Sequence, residues 1–179
     1  MKDSAGIKRE NKTQIWKLLL SGQAYTKQQI ALQTGLSVAS CNTYLNEMEL
    51  RGEVIGQKQK LHDVGRNAVV YSLNEEFEST LCVFFQWIQG VKSITTAVLS
   101  PTGNIRYEKT KSFSLLVAGV IQGEIAAVLE QFANVSQIVV GTPSIAEKGV
   151  IRHSDLPELE NVPLKPLLEE RFQRPVILA

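Results

Sequence analysis

Residues 26 to 45, Thr26-Lys27-Gln28-Gln29-Ile30-Ala31-Leu32-Gln33-Thr34-Gly35-Leu36-Ser37-Val38-Ala39-Ser40-Cys41-Asn42-Thr43-Tyr44-Leu45, constrain this chain more than any other segment. They read as two short helices joined by a tight turn. Thr26 and Ser37 can each cap a helix by accepting a backbone N–H bond, and Gly35 can take the positive φ that ends the first helix. Ile30, Ala31 and Leu36 supply an apolar core, while Cys41, Tyr44, Leu45 and Met48 recur at three and four residues along the second helix. Its opposite face, Val38, Ala39, Ser40, Asn42, Thr43 and Asn46, is left free. These side chains are small or uncharged and polar, suited to base edges and backbone in a major groove. The pattern is a helix-turn-helix, and it makes double-stranded DNA the expected partner.

A preceding helix is expected from about Lys8 to Ser21, with Ile15, Leu18 and Leu19 on one face, Trp16 flanking it and Ser21-Gly22 stopping it. It would pack across the other two. After Arg51-Gly52, the β-like runs Glu53-Val54-Ile55-Gly56-Gln57 and Ala68-Val69-Val70-Tyr71-Ser72-Leu73 flank a basic, irregular segment that reads as a wing. Lys58, Lys60, His62 and Arg66 lie in or beside its tip, within reach of phosphates or a minor groove. The plainer alternative is a solvated hairpin. His62 stands alone and is not read as a metal ligand.

Net charge of +1 conceals an asymmetry. Residues 1 to 72 carry ten Lys or Arg against six Asp or Glu, whereas the remainder carries nine against twelve. A basic amino-terminal module on a mildly acidic body fits phosphate attraction by one end only. The chain has 179 residues, 44% of them apolar, enough for one or two real cores, and no run of about 18 uninterrupted apolar residues. A soluble, cytoplasmic protein without membrane contact is the expectation, because residues 1 to 6 carry no export signal. Cys41 and Cys82 have no CxxC or neighbouring His, so buried free thiols are expected rather than a disulfide or zinc site. No cofactor is indicated.

A polar stretch at Asn74-Glu75-Glu76 marks a domain boundary, dividing residues 1-74 from 75-179. Residues 82 to 89 and 93 to 100, separated by Gly90-Val91-Lys92, and residues 105 to 109, entered through the turn Pro101-Thr102-Gly103-Asn104, predict a three-stranded antiparallel meander. Leu115 to Phe132 has helical periodicity, Gln137-Ile138-Val139-Val140-Gly141 reads as a buried strand, Pro166 to Phe172 as a short helix and Val176 to Ala179 as a last strand. Helix followed by buried strand implies a mixed α/β sheet, and the whole an α+β chain.

The order of these elements resembles the ROK family of repressors, open reading frames and sugar kinases, in particular the repressor branch of xylose and N-acetylglucosamine regulators. The likeness rests on Thr26-Lys27-x-x-Ile30-Ala31, Thr34-Gly35-Leu36-Ser37, the closing Gly65-Arg66-x-Ala68-x-x-Tyr71-x-Leu73-Asn74, and the stretch from Asn161 to Val176. It implies a winged helix-turn-helix over 1-74 and a partial actin-like (ribonuclease H-like) ROK lobe over 75-179. Departures from the family pattern carry equal weight. Where family kinases have an Asp followed by Gly-Gly-Thr to cradle phosphate, this chain has Ile88-Gln89-Gly90-Val91-Lys92-Ser93, and the usual Pro-Gly is Pro143-Ser144. Phosphoryl transfer needs a metal-holding group and a positioned base, and neither is identified. The Asn-Asp pair that follows the last strand in the family, its zinc-binding His and Cys cluster and its second lobe are not in this sequence. That implies either a shortened protein or a piece of a longer one.

The expected function is therefore a sequence-specific transcriptional regulator, a repressor of carbohydrate uptake or catabolism genes, acting as a homodimer and not as an enzyme. Thr26, Lys27, Gln28, Ser37, Ser40, Asn42, Thr43 and Asn46, with Lys58, Lys60 and Arg66 on the wing, are the DNA-binding candidates. Val38 and Thr43 stand where the family often shows arginine, so direct guanine reading from this helix is expected to be weak. A sugar effector would not be held by the family's usual residues. Two alternatives stand beside this reading: an interaction module that modulates a full-length homologue, and a sugar-binding sensor.

Overall fold

The computed structural model describes residues 4–59 and 68–179, so Lys60, His62 and Arg66 lie outside the described residues. The chain divides into two compact units, Met1–Phe77 and Glu78–Ala179.

In the first unit, α1 (Ser4–Leu19) starts ahead of the expected Lys8. Gly6 and the absence of an acidic first turn hid those residues from a propensity reading. A two-residue strand β1 (Tyr25–Thr26) leads into α2 (Lys27–Thr34), and α3 (Val38–Leu50) follows. Thr26 forms a full capping box, its hydroxyl accepting from Gln29 N while the Gln29 side chain accepts from Thr26 N. Gly35 ends α2 in the left-handed region at φ 72°, and the Ser37 hydroxyl starts α3 by accepting from Ser40 N at 3.1 Å. The strands β2 (Val54–Gln59) and β3 (Ala68–Leu73) pair antiparallel, and β1 joins the other edge of β3. Ile15, Leu19, Ile30, Cys41, Leu45, Met48, Val54, Tyr71 and Leu73 form one core beneath all of these elements. Gly56 on β2 is fixed by crowding, since a Cβ there would stand 2.8 Å from Glu49 Oε1 and 3.1 Å from the Tyr71 ring.

The second unit opens with the expected meander, β4 (Ser79–Ile88), β5 (Val91–Leu99) and β6 (Ile105–Phe113). After it come α4 (Ala118–Gln131), β7 (Val135–Gly141), the short hairpin β8 (Ser144–Glu147) and β9 (Val150–Ser154), a 3₁₀ turn at Pro157–Leu159, α5 (Leu164–Phe172) and β10 (Val176–Leu178). The five-stranded sheet has the order β10-β7-β4-β5-β6, parallel on the β10-β7-β4 side and antiparallel beyond. It is a mixed α/β layer. Leu81, Val83 and Phe85 on β4 alternate with Cys82 and Phe84, so one sheet face meets Ile121, Ile125 and Val128 of α4 and Leu164 and Leu168 of α5 in a single core. The other face mixes Cys82, Phe84, Val139 and Ile177 with Thr80, Thr95 and Gln137, and is partly open. Cys82 lies on it half-buried, which corrects the expectation of two fully buried thiols; Cys41 is buried, and burial pushes both thiols up.

The segment where the resembled kinases would cradle phosphate is a two-residue hairpin turn: Ile88 pairs with Val91, and Gln89 and Gly90 both take positive φ, 50° and 82°. Beside it, Glu158 accepts from Lys92 Nζ and from Leu116 N, which hold its carboxyl down at about 2 and tie the 3₁₀ turn to β5 and to the start of the α4 approach. Phe85 is fully buried at the middle of this core. Phe85→Ala is expected to lower the free energy of unfolding of the second unit by about 3–5 kcal/mol, read by chemical denaturation. A loss below about 1 kcal/mol would contradict the packing described.

Candidate nucleic-acid interface

The turn at Gly35 sets α3 against α2 so that Cys41, Leu45 and Met48 are buried, while Val38, Ala39, Asn42, Thr43 and Asn46 are exposed along the opposite face. Val38, Asn42 and Asn46 follow one another at one-turn spacing, as do Ala39 and Thr43. Several of the candidate side chains already have partners. The Ser37 hydroxyl donates to Ser40 Oγ at 2.9 Å besides capping the helix, and Thr43 Oγ1 donates to the Ala39 carbonyl at 3.2 Å. Gln28 is exposed beside them on the first turn of α2, and Lys58 is exposed near the end of β2.

Lys27 and Asn42, fifteen residues apart, meet directly: Lys27 Nζ donates to Asn42 Oδ1. The same ammonium lies 5.4 Å from the centroid of the Tyr71 ring, which is itself buried. Tyr71 is in that position because β1 pairs with β3, setting Tyr25 opposite Tyr71 and Thr26 opposite Val70. Residues 26 to 29 and Ala68 and Val69 thus line a shallow groove between the start of α2 and the start of β3. Sequence reasoning missed Tyr71 and this groove. A two-residue strand is too short to show alternation, and the aromatic Tyr25 directly before the cap was its single local signal.

Behind the exposed face, Glu47 of α3 binds Lys8 at 2.8 Å and Lys12 at 2.7 Å, both from α1. Those two lysines hold its carboxyl at about 2, below the ordinary 4.5. Asn11 Nδ2 also donates to the Tyr44 hydroxyl at 3.2 Å, so α1 braces α3 through polar contacts as well as through Ile15 and Leu19. Among the described residues, no group of three or more His, Cys, Asp or Glu could hold a metal ion. Among the same residues, no helix is long and apolar enough to cross a membrane.

Compared with solved structures, the whole arrangement has a counterpart. A ROK family transcriptional regulator, a homologue of the E. coli MLC protein, superimposes with a TM-score of 0.70 over 97% of this chain and 46% of its own, at 18% sequence identity. The chain has the fold of a ROK family regulator. It spans just under half the length of that protein. Two ROK kinases match over a smaller part: the hexokinase of Thermus thermophilus (20% identity, 56% of this chain and 34% of that one, TM-score 0.45) and the glucokinase of Streptomyces griseus (20% identity, 56% and 32%, TM-score 0.45). No family model matches the sequence, and no curated protein does either. The likeness to the ROK regulator is thus one of fold, carried by packing and connectivity at low sequence identity.

Because the folded carboxyl of Glu47 is lowered, its contribution is present above about pH 4.5 and is lost as pH falls toward about 2. Denaturation of the wild-type chain at pH 6, 4 and 2.5 should show that loss. Glu47→Gln should reduce it, leaving the share that Glu158 contributes, and an unchanged pH profile in the variant would mean that the lysines do not brace α3.

Proposed function

We propose that this protein is a sequence-specific DNA-binding transcriptional regulator, with residues 1-74 acting as a winged helix-turn-helix and α3 entering the major groove. The observation that carries the reading is the exposed, uncharged polar face of Asn42, Thr43 and Asn46, with half-buried Ser40 beside it, on a helix whose other side packs Cys41, Leu45 and Met48 into the core. Thr26, Lys27 and Gln28 stand at the first turn of α2, where N–H groups without intrahelical partners favour phosphate, and Lys58 flanks them from the wing. The ROK regulator fold supports a repressor of carbohydrate genes, in the cytoplasm. One such head contacts few base pairs, so useful specificity calls for a homodimer on two half-sites.

The second unit we read as a non-catalytic lobe derived from an actin-like domain. The Gln89-Gly90 turn supports this, since a two-residue hairpin offers neither a carboxylate nor a phosphate cradle. A second reading, an interaction module, is favoured by the open sheet face on which Phe84 and Ile177 are 46% and 51% exposed. It is compatible with DNA binding.

Gel shifts with duplexes from upstream of the gene should show binding that weakens steeply between about 50 and 200 mM salt. Thr43→Glu with Asn46→Glu should reduce it by about tenfold or more through like-charge repulsion with phosphates. Undiminished binding by that double variant would sink the proposed recognition face.

A further inference from the structure

The contact between Lys27 and Asn42 fixes what α3 can read, and this inference rests on the DNA-binding reading above. An ammonium carries donors only, so the Asn42 amide must turn its oxygen toward Lys27 and its NH2 group away. Among the described residues nothing else bonds the Asn42 side chain. The buried Tyr71 ring, 5.4 Å from the same ammonium, holds the lysine in place from behind. Lys27 and Asn42 therefore form a pre-set pair whose outward face consists of N–H donors, brought together from two helices.

That face discriminates between bases. Adenine offers an acceptor at N7 beside a donor at N6, and an asparagine reads it by using amide oxygen and nitrogen together. In this chain Lys27 takes one of the two lone pairs of that oxygen, and the ammonium beside it would oppose the N6 hydrogens. Guanine offers two adjacent acceptors, N7 and O6, which match Asn42 Nδ2–H and a remaining N–H of Lys27. We propose that the Lys27–Asn42 pair is the specificity-determining element of this protein and selects a guanine in each half-site. The weak guanine reading expected from the lack of arginine on α3 is thereby revised, because the cation reaches that face from α2.

The test is selection of bound duplexes from a random 20-base-pair pool by the full chain, in parallel with Lys27→Met and Asn42→Ala, each checked for an unchanged thermal transition. The wild-type chain should enrich a fixed guanine, and replacing it with 7-deazaguanine in the enriched duplex should weaken binding about tenfold. Lys27→Met frees the amide oxygen, so the preference at that position should move from guanine to adenine, whereas Asn42→Ala should leave it degenerate. A change of base identity cannot arise from lost phosphate attraction alone, which weakens all sequences alike. If both variants enrich the same bases as wild type while binding stays salt-sensitive, the pairing is wrong and the DNA-binding reading stands. If no duplex is bound at low salt, both fall.

Discussion

The reversal of the chain at Gly35 is the constraint on which the first unit depends. A left-handed residue there, between a capping box at Thr26 and a second cap at Ser37, lets α2 end and α3 start within three residues. Only that short connection brings Ile30 and Leu45 into one core while leaving Asn42 and Asn46 on the outside. A longer or straighter link would bury the polar face or expose the apolar one. The same geometry brings the first residue of α2 within reach of the second turn of α3, which is how Lys27 comes to meet Asn42.

Around this corner the remaining elements act as braces. Lys8 and Lys12 hold Glu47 from α1, and β1 docks β3 against the start of α2. Ion pairs of this kind, near the surface and only partly covered, add little to stability individually. What they do supply is orientation, and the buried apolar contacts of Ile15 and Leu19 supply the larger share of the free energy. The second unit is built on a different principle, alternation along Ser79–Phe85 of β4 and Ile138–Gly141 of β7 that gives the sheet one closed and one more open face.

Elements whose ends are written in local chemistry were legible from the sequence. The caps at Thr26 and Ser37, the stop at Gly35, the three-stranded meander and the mixed α/β sheet stand as expected, although the first meander turn falls at Gln89-Gly90 rather than at Gly90-Val91-Lys92. What escaped was set by partners distant in sequence. The hairpin Ser144–Glu147 with Val150–Ser154 lies in a stretch of mixed polarity with no alternation to read, and its ends depend on contacts such as the Ser144 to Ser154 hydroxyl bond. The Lys27 to Asn42 contact is a meeting of two helices that neither announces alone. A polar face could be listed residue by residue, but which of its atoms are already engaged required the fold.

Whether one face of α2 and α3 receives duplex DNA is tested most directly by amide chemical-shift mapping. Titrating an enriched duplex into the isotope-labelled full chain should move the resonances of residues 26 to 28, 37 to 46 and 58, and leave those of β5, β7 and α4 in place. Shifts confined to the second unit, or none at saturating duplex in low salt, would contradict it.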